Sequence, residues 1–201
     1  MMLDKFRPVA DRLLAPFVTL AARLNLTPDS VSVVAFVLAV AAGGVYYLAG
    51  QTPSYYLVGA ILVFLNGWFD LVDGALAREL NVASRSGDLL DHVLDRYADI
   101  VVIAGLMAGI GEYAIGFAAI TGVLMTSYLG TQAQAVGLDR VYGGLVGRAD
   151  RLALIGLTTV VATFVQQVGG VSLVVALLVF FAIIGHVTAL QRFYYSMRAL
   201  A

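Results

Sequence analysis

Four aspartates carry the chemistry that can be read from this chain. Asp70 and Asp73 lie three residues apart in Asp70-Leu-Val-Asp-Gly-Ala-Leu-Ala-Arg78, and after eight more residues Gly87-Asp-Leu-Leu-Asp91-His-Val-Leu-Asp95 places Asp91 and Asp95 four apart. On helices, each spacing puts its pair on one face, so two neighbouring helices would direct four carboxylates into one volume. Ionised carboxylates crowded in a low dielectric repel, and proton sharing or bound cations relieve them. An all-oxygen donor set suits a hard divalent ion, Mg²⁺ or Mn²⁺, rather than zinc. Two such ions held by Asp70, Asp73, Asp91 and Asp95 would polarise a pyrophosphate. Gly74 and Gly87 allow a phosphate or nucleotide close to the backbone, and Arg78 offers a cationic fork for phosphate oxygens. One acid must also accept the proton of an attacking hydroxyl, and that acid is the one least engaged with metal. Spacing alone does not rank the four. Reading them as solvated loop acids leaves both spacings and both glycines without a reason.

The elements that position these acids are apolar. The chain of 201 residues is 61% hydrophobic and 12% charged, with a mean hydropathy of +0.91, which points to a single-domain, all-α integral membrane protein over residues 1–201. Residues 1–24 read as an amphipathic juxtamembrane helix on the membrane surface, interrupted near Pro8 and Pro16, without the plan of a signal peptide. Thr27-Pro28-Asp29-Ser30 supplies a helix start. Six apolar segments then follow, at about 31–49, 54–73, 88–109, 113–136, 149–167 and 171–196, each near the ~20 residues that span a bilayer. They form a six-helix membrane domain over 31–196. Gln51–Ser54, Gly109–Tyr113 and Gln166–Gly170 carry no Lys or Arg, and all twelve cations lie in the alternate connectors or near the termini. The positive-inside rule therefore places both termini and the Asp cluster at the cytoplasmic face of a multi-pass protein in the cell membrane.

Asp70 and Asp73 then end the second span and Asp91 and Asp95 begin the third, where polar groups are functional candidates. Asp99, one turn further in, is expected to bond an Arg on another helix or simply to stabilise its own. Gly105 and Gly109 form a small-xxx-small pair that brings another helix close or mediates dimerisation. His92 lies off the carboxylate face, and His186 is expected as a hydrogen-bonded interior residue. With no Cys there is no disulfide or thiolate metal site. A net charge of −1 gives no broad basic surface for nucleic acid.

Asp70, Asp73, Gly74, Ala77, Arg78, Gly87, Asp91 and Asp95 match D-x2-D-G-x2-A-R-x8-G-x3-D-x3-D without a gap. On this motif the sequence closely resembles the CDP-alcohol phosphotransferase family. The resemblance implies that Asp95 is the catalytic base, that Asp70, Asp73 and Asp91 carry most of the metal ligation, and that Asp73, Gly74, Ala77, Arg78 and Gly87 hold the CDP moiety. The family reaction displaces CMP from a CDP-lipid, here CDP-archaeol or CDP-diacylglycerol, by a polar alcohol, and the resemblance also implies a homodimer.

Downstream, Ser127–Gly137, Gly143–Leu152 and Thr188–Arg192 look like the branch that makes phosphatidylinositol phosphate or its archaetidylinositol counterpart. Arg148, Arg151 and Arg192 match the arginines that hold the acceptor's phosphate there, and three guanidinium groups would bind a phosphorylated polyol well. Where that branch has an Arg-Ala-Arg-Ala-Glu run, this chain reads Gly130-Thr-Gln-Ala-Gln134, and Gly147 replaces a Glu. Glycerol 3-phosphate, free inositol or another polyol therefore stands beside inositol phosphate as acceptor. A reading from another class is a divalent-cation transporter with the acids as ion pathway; it would need polar groups across the midplane, whereas these acids gather at one face.

Overall fold

The computed structural model describes residues 7–139 and 146–201, and side chains from residue 13 onward. Residues 1–6 of the juxtamembrane segment, the connector around Arg140 and most of the 143–147 stretch lie outside these described residues. The elements are α1 (Arg7–Arg23), α2 (Pro28–Ala49), α3 (Tyr55–Glu79), α4 (Arg85–Ile110), α5 (Tyr113–Ala135), α6 (Arg148–Phe164), a hairpin of β1 (Gln167–Val168) and β2 (Val171–Ser172), and α7 (Leu173–Leu200).

Local chemistry sets the helix ends near the site. Thr27 and Ser30 form a reciprocal cap in front of α2, with Pro28 at its first position. The Ser84 hydroxyl accepts from the Gly87 N–H at 3.0 Å and starts α4. That helix stops at Gly111, which has φ +75° and donates to the Met107 carbonyl. Asp150 caps α6, accepting from the Gly147 N–H at 3.0 Å.

Four helices, α2, α3, α5 and α7, are long and apolar enough to cross a membrane, so the chain is a multi-pass membrane protein. The other two apolar segments differ from the simple plan for separate reasons. α4 has 26 residues, but the stretch from its start to Asp99 carries Arg85, Asp88, Asp91, Asp95, Arg96 and Asp99, which lower its hydropathy. α6 has 17 residues and ends before position 167, because Val165 turns extended and a hairpin follows. The hairpin turns through Gly169 and Gly170, both at positive φ (59° and 80°), the backbone signature of a type I′ turn. The second segment, by contrast, runs past Asp73 as helix to Glu79.

α1 is continuous, which corrects the expected interruption near Pro8 and Pro16. Pro8 sits in the first turn, where its missing N–H costs nothing. Pro16 lies inside the helix, and its lost bond is offset by burial of Leu14, Val18 and Ala21 against Val31, Val72 and Leu76. The opposite face exposes Leu13, Phe17 and Leu20, as suits a helix at an apolar boundary.

The main core joins α2 to α7 through Ala39, Ala42, Tyr46, Val63, Val102, Leu106, Val123, Ile155, Leu178 and Phe181. Tyr46 bonds Thr159 of α6 at 3.0 Å, and Asn66 of α3 donates to the Ala35 carbonyl of α2 at 2.8 Å. α2 and α4 approach almost backbone to backbone. A β-carbon on Gly105 would collide with the backbone of Gly43, and one on Gly109 with the Tyr46 carbonyl. The Gly105/Gly109 pair thus serves packing within the chain.

Candidate active site

The crossing of α2 with α4, and the packing of α6 on α3, bring the ends of four helices together. From α3 and α4, Asp70, Asp91 and Asp95 converge: one carboxylate oxygen from each lies within 4.8 Å of the others. Asp73 belongs to the same helix face but turns to α2, where its Oδ2 accepts from the Ser32 hydroxyl at 2.6 Å. It is 6% exposed and more buried than the other three.

Arg148, in the first turn of α6, reaches between the acids. Its Nη1 lies 2.7 Å from Asp70 and its Nη2 2.8 Å from Asp95. One turn on, Arg151 donates to Asp99 at 2.6 Å, with both groups buried. Asp99 therefore does bond an Arg of another helix. Arg192 of α7 donates to the Thr126 carbonyl of α5 at 2.6 Å. Arg96 bonds the Ser127 hydroxyl through Nη1 and approaches Asp95 at 3.4 Å through Nη2. The three arginines matched to an acceptor's phosphate thus occupy different settings: Arg148 is in the carboxylate cluster, and Arg151 and Arg192 hold neighbouring helices.

Two recesses flank the acids. A cavity of about 560 Å³ is lined by Thr27, Asp29, Ser32, Asp73, Gly74, Ala77, Ser84, Gly87 and Asp91, among others. It contains four of the five residues matched to the CDP moiety. Arg78, the fifth, lines a separate cleft between α1 and α3 with Thr19 and Glu79, although a β-carbon on Gly74 would lie 3.6 Å from its Nη1. The second recess, of about 740 Å³, is a groove between α3 and α6. Ile61, Phe64, Trp68, Leu71, Leu152 and Leu157 line it, and Asp70, Asp95 and Arg148 close one end.

His92 borders the cluster, with its Nδ1 2.8 Å from the Asp88 carbonyl in its own helix and 4.0 Å from Asp91 Oδ2. His186 is exposed, contrary to the interior position expected, and its Nε2 lies 3.4 Å from the Thr121 hydroxyl. Ser32 and Ser127 had no motif to announce them, because each meets its partner across more than 30 residues of sequence.

The donor chemistry fits a hard cation, since three convergent carboxylates supply only oxygen and their mutual repulsion favours a bound divalent ion. The pairing of a nucleotide-sized cavity that carries Asp29, Ser32, Asp73, Ser84 and Asp91 with a more apolar groove suits a substrate that is half nucleotide and half lipid.

Comparison with known proteins agrees. Residues 25–188 match the family model described as CDP-alcohol phosphatidyltransferase. The chain is 30% identical over 200 residues to the archaetidylinositol phosphate synthase of Methanothermobacter thermautotrophicus, covering 99% of this chain and 96% of that protein. The phosphatidylinositol phosphate synthase of Mycobacterium tuberculosis, in a crystal structure with CDP-DAG bound, superimposes with a TM-score of 0.78 at 27% identity, covering 92% of this chain and 94% of that one. The same enzyme in complex with manganese and citrate gives 0.79 at 26% identity, over 92% and 88%. These matches identify an enzyme rather than the transporter considered from the acids alone. The chain belongs to the CDP-alcohol phosphatidyltransferase family and is a membrane transferase of phospholipid biosynthesis.

Proposed function

We propose that this enzyme displaces CMP from CDP-archaeol or CDP-diacylglycerol by a hydroxyl of inositol phosphate. The observation that carries the reading is that the acids stand between two recesses, with Asp73 and Asp91 lining the Gly74–Gly87 cavity and Asp70 and Asp95 lining the α3/α6 groove. A CDP-lipid laid across both recesses has its nucleotide in the cavity, its hydrocarbon in the groove and its pyrophosphate beside the acids. Asp73, Gly74, Ala77, Arg78 and Gly87 hold the CDP part. Asp70, Asp73, Asp91 and Asp95 would hold two divalent ions, Mg²⁺ or Mn²⁺, which when bound polarise the pyrophosphate oxygens.

Asp95 accepts the proton from the acceptor hydroxyl. The hydroxyl oxygen bonds to the lipid-bearing phosphorus, the bond from that phosphorus to the CMP oxygen breaks, and CMP leaves with the electron pair. Arg148, Arg151 and Arg192 hold the acceptor's phosphate. The buried Nε–H groups of Arg148 and Arg151 have no hydrogen-bond partner among the described residues, and buried donors of that kind suit an anionic ligand. Six spans, with α4 and α6 completing the membrane domain, would place the acids and both termini at the cytoplasmic face of the cell membrane. The functional unit is one domain per chain, assembled as a homodimer.

The chain's own departures from the inositol phosphate branch, Gly130–Gln134 and Gly147, keep glycerol 3-phosphate or another polyol as the alternative acceptor. The decisive assay is CMP release by purified protein from each CDP-lipid with Mg²⁺, across inositol phosphate, glycerol 3-phosphate, free inositol and serine. Inositol phosphate is expected to give the fastest turnover. Turnover only with uncharged or zwitterionic alcohols would remove the arginines from the acceptor site, and no CMP under any acceptor would sink the reading. Arg148→Ala and Arg192→Ala are each expected to raise the acceptor KM by roughly tenfold or more, the scale of one lost charge-assisted bond. An unchanged KM in both would exclude them from that site.

A further inference from the structure

We propose that Ser32 is a positioning residue for the reaction: its hydroxyl fixes the Asp73 carboxylate between the metal-binding acids and the nucleotide cavity. The inference rests on the proposed role of Asp73. The two residues are 41 positions apart, on α2 and α3, and the Ser32 Oγ lies 2.6 Å from Asp73 Oδ2. Both are buried, Ser32 at 7% and Asp73 at 6% exposed, and both line the 560 Å³ cavity.

The bond divides the labour of one carboxylate. Oδ2 is committed to the serine, which leaves Oδ1 for an ion or for the nucleotide. The serine is itself held from behind. Its single hydroxyl proton goes to Asp73 at 2.6 Å, with the Pro28 carbonyl one turn earlier a more distant second acceptor at 3.2 Å, and that first turn is fixed by the Thr27/Ser30 cap and by proline. Asn66 ties α3 to α2 at Ala35, so the two backbones keep their separation. Without the hydroxyl, Asp73 has the free volume and the electrostatic incentive to rotate, because Asp70 and Asp91 are near and repel it. Outer groups that orient a metal-binding carboxylate are commonly worth 10–100-fold in metal affinity or activity.

The test is Mn²⁺ titration of the full-length protein in detergent, followed by electron paramagnetic resonance, with CMP release measured on the same samples. Ser32→Ala is expected to weaken Mn²⁺ binding by about 10–100-fold and to raise the KM for CDP-lipid. Ser32→Thr, which keeps the hydroxyl, is expected to retain binding within a few-fold of wild type. A structural role for the residue would not distinguish the two by metal affinity at equal thermal stability. Wild-type Mn²⁺ affinity in Ser32→Ala, or equal weakening in Ser32→Thr, would overturn the inference. Wild-type protein that neither binds Mn²⁺ nor releases CMP would instead sink the proposed function.

Discussion

Asp95→Asn is expected to lower kcat for CMP release by at least about 10³-fold, the upper range for loss of a general base, while CDP-lipid binding stays within a few-fold of wild type. The amide copies the carboxylate's shape but cannot accept the acceptor's proton at neutral pH. Arg148 keeps its second anchor at Asp70, 2.7 Å away, so the arrangement of α3, α4 and α6 does not depend on Asp95 alone. Asp70→Asn and Asp91→Asn act differently. With Asp73, these two acids carry most of the proposed metal ligation, so Mn²⁺-dependent nucleotide binding should weaken along with turnover. Single-turnover CMP release and equilibrium binding of radiolabelled CDP-lipid separate the two effects. Equal loss of binding in all three variants would mean that the division into base and ligands is wrong.

The second large effect is structural. Gly105→Ala is expected to destabilise the protein by about 3 kcal/mol, the upper range for overpacking, lowering the thermal midpoint in detergent by on the order of 10 °C. The new methyl would meet the backbone carbonyl of Gly43, which cannot rotate away as a side chain would. Relief requires α2 and α4 to separate, and their first turns line opposite sides of the nucleotide cavity through Thr27, Asp29, Ser84 and Gly87. Gly44→Ala is the control. A β-carbon there has nothing within 4 Å, so the change should be neutral or gain the ~0.5–1 kcal/mol by which Ala exceeds Gly inside a helix. Equal thermal midpoints for the two variants would refute the backbone contact.

What could be read from the sequence follows the range of the interactions. Asp70, Asp91 and Asp95 were legible as a cluster because spacings of three and four survive any helix and require only that two successive helices be antiparallel. The helix start at Thr27 is equally local, being made within three residues. Asp73 looked equivalent to its neighbours, yet it bonds Ser32, whose nearness depends on how α2 packs and not on any motif. The same holds for Arg151 and Arg192: the family resemblance alone assigns them to an acceptor's phosphate, and their bonds to Asp99 and to the Thr126 carbonyl are set by helix packing that no motif encodes. Pro16 misled because proline's local penalty is visible in sequence and the burial of Leu14 and Val18 that offsets it is not. Hydropathy likewise measures α4 poorly, since one helix carries both site carboxylates and apolar packing residues.

The α3/α6 groove has a kinetic consequence. Its outward-facing Ile61, Phe64, Leu71 and Leu157 make it a recess in the side of the protein rather than a tunnel from water. A lipid seated there has never left the hydrocarbon phase, so it is supplied by two-dimensional diffusion and its effective concentration is a mole fraction of the bilayer. CMP and the acceptor obey ordinary volume concentrations. On the proposed reading one catalytic centre would thus answer to two measures of concentration, and diluting the membrane with inert lipid would slow it even when the amount of CDP-lipid in the vessel is unchanged.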